Sequence, residues 1–167
     1  MKKIILFLLL TLSVGILSDI SAQFAYAAPG QGSTLPRVFV LGEDEQAYNH
    51  LVESYGTSSL LNVCQNDMEK AFGKWLDMMG AMEAYAQKIN FDINGVKIWV
   101  HVFWSADGTI DHIAYHLKPN SRNIDQQEFT AFLSSFIKNY KFPLTTDGVN
   151  YSHYASASFP TFSKRVN

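Results

Sequence analysis

An α+β fold is predicted by three observations. A long apolar stripe of helical period occupies residues 66–90, a hairpin of alternating period follows it, and a second amphipathic helix then leads into a strand-like tail. The expected architecture is a small antiparallel sheet, made of the hairpin and a final strand. It packs with a C-terminal helix and an N-terminal helical half.

The elements follow in chain order. Lys2 and Lys3 precede an apolar run, Ile4 to Leu17, and small residues come next. That order is a secretory signal peptide over residues 1–22, with an alternative end at 27 after Ala25-Tyr26-Ala27. The apolar run is shorter than the roughly 20 residues a spanning helix needs, so no transmembrane anchor is expected in the mature chain. Residues 23–36, with Pro29, Gly30, Gly32 and Pro36, form a linker. A single domain is expected over 37–162 and a short tail over 163–167.

Arg37 to Gly42 is short, apolar and bounded by Pro36 and Gly42, as a strand would be. In Glu43 to Tyr55 the residues Ala47, Tyr48, Leu51, Val52 and Tyr55 lie at helical spacing, with Gly56 at the stop. Ser58 to Cys64 is short enough for either type, and Leu60, Leu61 and Cys64 favour a helix. Asn66 and Glu69 fit a capping box for the next helix. Its stripe runs Met68, Phe72, Trp75, Met79, Met82, Ala86 and Ile89.

After Asn90 the period changes to two. Val96 to Trp104 is one strand, Asp107-Gly108 marks the turn, and Thr109 to Leu117 is the return strand. Asp125 caps a further helix, with Glu128 at its third position and Phe129, Phe132, Leu133, Phe136 and Tyr140 on one face. The helix stops before Pro143. Val149 to Phe162 supplies the last strand.

Charge and composition exclude several classes. The chain carries 13 Lys and Arg against 15 Asp and Glu, a formal net charge of −2. No basic stripe marks a nucleic-acid binder, and no polybasic patch marks attachment to anionic lipid. With one cysteine, Cys64, an intramolecular disulfide is impossible; the residue reads as a small buried apolar one. There is no glycine-rich phosphate loop and no G-x-S-x-G. Met78, Met79 and Met82 have the spacing of a core stripe. Asp107 and Asp111 read as turn and strand-edge residues.

Strand parity carries the functional reading. A loop of two or four residues would put Ile98, Val100, Val102, Ile113, Tyr115 and Leu117 on one face. Trp99, His101, Phe103, His112, Ala114 and His116 would share the other. An odd loop would break that shared surface. Three readings are open: a face covered by the N-terminal helices, a face that recognises a partner, and a metal site. His112 and His116 are four apart on a strand, about 13 Å, so both cannot bind one ion. No metal and no cofactor is therefore assigned. Arg122, in the loop before the last helix, is a candidate anion contact, with Asp125 competing for the same backbone donors.

Residues 95–162 resemble the C-terminal domain of TonB-like proteins. The resemblance rests on Val96-Lys-Ile-Trp-Val-His-Val-Phe103, Asp107-Gly108, Ile124-Asp125, Phe129 to Tyr140 with Phe142-Pro143, Gly148-Val149 and Ser158-Phe-Pro-Thr-Phe162. It implies a helix against a small antiparallel sheet that binds a peptide of an outer-membrane receptor at a sheet edge. The chain departs from such transducers in having a cleavable leader and almost no spacer, so the force-transmitting role is not implied. Residues 37–90 have no counterpart.

The sequence thus leads to an exported binding module, periplasmic or secreted, with a protein or peptide partner in the cell envelope. The partner-binding residues would be Trp99, His101, Phe103, His112 and His116. The alternatives are a small hydrolytic or metal-assisted enzyme using the hairpin histidines, and a structural or inhibitory envelope domain.

Overall fold

The computed structural model describes residues 35–161. The signal peptide, most of the linker and the tail read from the sequence lie outside the described residues. The order of elements is β1 (Val38–Val40), α1 (Glu45–Tyr55), α2 (Leu60–Val63), α3 (Met68–Lys88), β2 (Lys97–Trp104), β3 (Ile110–Leu117), α4 (Gln126–Asn139) and β4 (Tyr151–Ser158).

The class is α+β, and the sheet is wider than the expected three strands. Its order is β1-β3-β2-β4. β2 pairs antiparallel with β3 and β4, while β1 adds to β3 in parallel. The parallel strand is possible because β1 is joined to the hairpin by three helices. Parallel neighbours need a long crossover of this kind, whereas the hairpin needs only a turn.

The hairpin face survives an odd loop. Five residues, Ser105 to Thr109, separate the two strands. A bulge compensates: Phe103 opposes His112 while Trp104 opposes Ile110, so Asp111 is left without a partner across the ladder. Parity is thereby restored, and Trp99, His101 and Phe103 lie opposite His116, Ala114 and His112 on one side.

The turn is anchored from outside. Gly108 has φ +84°, and an added Cβ there would sit 2.2 Å from the Phe142 carbonyl oxygen. The Phe142 N–H donates to the Gly108 carbonyl, and Lys141 pairs with Asp107 at 2.8 Å. Only glycine combines that φ with so close an approach of backbone.

One layer of core lies between the sheet and helices α3 and α4. Ile98, Val100, Val102, Ile113 and Tyr115 are fully buried against Trp75, Met78, Met79, Met82, Phe129, Leu133 and Phe136. In α4 Phe129, Phe132, Leu133 and Phe136 of the anticipated face are buried and Ile137 joins them, while Tyr140 is the C-cap and only partly buried. Asp125 caps this helix by accepting from the Glu128 N–H. In α3 the stripe holds only in the middle. Trp75, Met79, Met82 and Ala86 are buried together with Ala71 and Met78. Met68, Phe72 and Ile89 are exposed. The buried face runs through Ala71, Trp75, Met78, Met82 and Ala86, and Phe72 lies about 100° round the helix from Ala71, outside that face. Its N-cap is Asp67, which accepts from Lys70 N–H, one residue later than the capping box at Asn66 suggested. Cys64, at the end of α2, is fully buried, and burial raises its thiol pKa.

Candidate binding site

The face of the sheet turned away from α3 and α4 is divided in two. α1 covers one half. Its residues Tyr48, Leu51, Val52 and Tyr55 pack on Phe39, Phe103 and Ala114. Two polar contacts hold it there: the Tyr48 hydroxyl lies 2.9 Å from His101 Nδ1, and the Tyr55 hydroxyl donates to Asp111 at 2.6 Å. Burial, and after it the Asp111 carboxylate acceptor, push the Tyr55 phenol pKa up. Asp111 is thus the bulge residue turned to structural use, because it also accepts from the Ser105 hydroxyl.

The other half is uncovered. Trp99 is 42% exposed and Tyr154, on β4, is 51% exposed. Their rings lie nearly parallel, 8° apart, with centroids at 6.1 Å. Lys118 places its ammonium 4.0 Å from the centre of the Trp99 ring. His116 stands directly across the ladder from Trp99 and is exposed. Ser156 and Ser158 complete this surface on β4, opposite Trp99 and Lys97.

The residues expected to form one recognition face therefore separate. Trp99 and His116 belong to the open half. Phe103 has no exposed surface, so it is core and cannot touch a partner in this fold. His101 is 7% exposed at the boundary, under Tyr48 and edge-on to Tyr154. Burial, with a smaller contribution from His153, depresses the His101 pKa to about 4. His112 is tied down, its Nδ1 3.1 Å from the Pro36 carbonyl. Arg122 is engaged within the chain: it donates to the Asp92 carbonyl and pairs with the Asp92 carboxylate at 3.3 Å.

Three participants were missed by parity reading of the hairpin alone. Tyr154 shares its parity with Ser152, Ser156 and Ser158, a signal present in the tail once its strand is placed beside β2. Lys97 and Lys118 share the parity of Trp99 and His116 but sit at the strand ends.

The hairpin histidines do not converge on a reacting centre. Among the described residues, no three His, Cys, Asp or Glu side chains are grouped to hold a metal ion. His101 has a tyrosine hydroxyl for a partner, with no carboxylate hydrogen-bonded to it. Two surface depressions, along α3 at Asp67 to Asp77 and along the outer side of α1, lie away from these histidines.

The edge beside the open half is the second component of the site. In the β2–β4 ladder, residues of β4 turn alternately toward β2 and away from it. Phe159 N–H bonds to Val96, while Ser152 N–H points outward to the Ser58 carbonyl. Tyr154, Ser156 and Ser158 have the parity of Ser152. Beyond the Ser58–Ser152 contact nothing among the described residues pairs with their outward backbone groups. The segment Tyr154-Ala-Ser-Ala-Ser158 contains no charge and no proline.

No family model, no curated protein and no solved structure matches the chain. Among the described residues, no helix is long and apolar enough to cross a membrane.

Proposed function

We propose that this protein is a non-catalytic, exported binding module that recognises an extended protein segment by adding it to the free edge of β4. The observation that carries this reading is the row of outward N–H and C=O groups at Tyr154, Ser156 and Ser158, unpaired among the described residues. Exposed edges are usually blunted by charge, proline or shortness. The opposite edge, β1, follows that rule with three residues. β4 has eight residues and none of these protections. An incoming strand would gain backbone hydrogen bonds from the edge and apolar contact from Tyr154 and Trp99. The resemblance of residues 95–162 to TonB-like C-terminal domains implies the same mode of recognition.

Ser156→Pro tests it. The Ser156 N–H points outward, so proline removes a donor to the incoming strand and leaves the β2–β4 ladder intact. A displayed library of random decapeptides should yield binders to residues 28–167 that lose affinity for the variant. If no binder emerges, or if the binders hold the variant equally well, edge pairing is refuted. Circular dichroism of both proteins checks that the fold is retained.

A further inference from the structure

We infer that the segment received at the β4 edge is acidic, with carboxylates at the alternate positions that share a face with Tyr154; this rests on the edge-pairing reading above. The chain as a whole is slightly acidic, at a net charge of −2. The open half of the sheet runs against that balance. Its side chains are Lys97, Trp99, His116, Lys118, Tyr154, Ser156 and Ser158, without a carboxylate among them. Neither Lys97 nor Lys118 has a carboxylate within ion-pair distance among the described residues. Other described lysines, Lys70, Lys88 and Lys138 among them, also lack an ion pair, so what distinguishes this patch is that two ammonium groups share it with no carboxylate. Two ammonium groups on one patch are thus left for something outside it.

Reach decides where the carboxylates must lie. Lys97 stands opposite Ser158, the last residue of the edge strand. A strand added to β4 lies one spacing further out, about 10 Å from β2 by backbone. An extended lysine and a glutamate together span that distance, and only the small serine side chain stands between them. Lys118 lies one strand further back, over the ring of Trp99. It raises the positive potential of the patch and steers the approach, while Lys97 makes the closer pair. An acidic strand satisfies the unpaired backbone and the unpaired ammonium groups together; a basic strand would satisfy the first and oppose the second.

The test uses N-acetylated decapeptides in which valine alternates with glutamate, glutamine or lysine. Their binding to residues 28–167 is measured by fluorescence anisotropy at two salt concentrations. The glutamate peptide should bind at least about 10-fold tighter than the lysine peptide, and the margin should shrink as salt rises. Lys97→Gln with Lys118→Gln should erase the margin between the glutamate and lysine peptides. Equal affinities, or a preference for lysine, overturn the inference. The two readings fail separately. If all three peptides bind alike and all are lost in Ser156→Pro, the edge stands and the acidic preference falls. If the glutamate peptide binds Ser156→Pro unchanged, the edge falls and with it the placement of the carboxylates.

Discussion

His101 shows how one residue reports on the whole covered face. Its imidazole is buried neutral, with a pKa of about 4 against an ordinary 6.5. Between those values the unfolded chain binds a proton that the folded chain does not. Stability therefore falls as pH drops from about 6.5 to about 4, by at most about 3 kcal/mol from this group. His153, packed on Trp75 and also depressed by burial, acts in the same direction. The lowered carboxyl groups of Asp92 and Asp107 act in the same direction, but mainly as pH falls through the ordinary carboxylate range and below it, at the acid end of this window. Urea unfolding of the parent and of His101→Gln should diverge across that interval, with the variant showing the shallower loss. Parallel curves would mean that the imidazole is solvated in the folded state.

Among the elements, the hairpin turn is held by backbone rather than by its own side chains. Gly108→Ala would place a methyl group against the Phe142 carbonyl at positive φ. Its expected cost is about 2 kcal/mol or more, read as a lowered urea midpoint. A change within a few tenths of a kcal/mol would show that the 140–144 segment moves aside without penalty. The bulge at Asp111 belongs to the same element. It restores parity after a five-residue loop, and it gives Tyr55 of α1 a carboxylate to hold. A hairpin with a shorter, even loop would keep the faces but lose that anchor.

For the whole molecule, the two sides of the sheet differ in how firmly they are covered. α3 and α4 bury several side chains completely, whereas α1 buries none. Hydrogen exchange should follow that difference: the amides of α1 should exchange well before those of β2, where Val100 and Val102 are fully buried. Equal protection would show that α1 opens only with global unfolding. The same asymmetry places the proposed binding edge beside the less densely covered half of the sheet.

Much of this was legible in the primary structure by itself. The period-two hairpin, the face of α4 with its Asp125 cap, and the α+β class all follow from local patterning, because burial on one side of an element imposes its own period. The register that sets Trp99 opposite His116 was left open by the sequence, because it depends on the bulge that follows the five-residue loop. Other features depended on what packs against what. That Phe103 is core while Trp99 is open was decided by where α1 comes to rest. That Phe72 is exposed was decided by which side of α3 turns to the core, the side of Ala71, Trp75, Met78 and Met82. The edge position of β4 and the parallel pairing of β1 were likewise settled between elements far apart in the chain. Side-chain alternation states which face a residue occupies; only the tertiary arrangement states whether that face is covered.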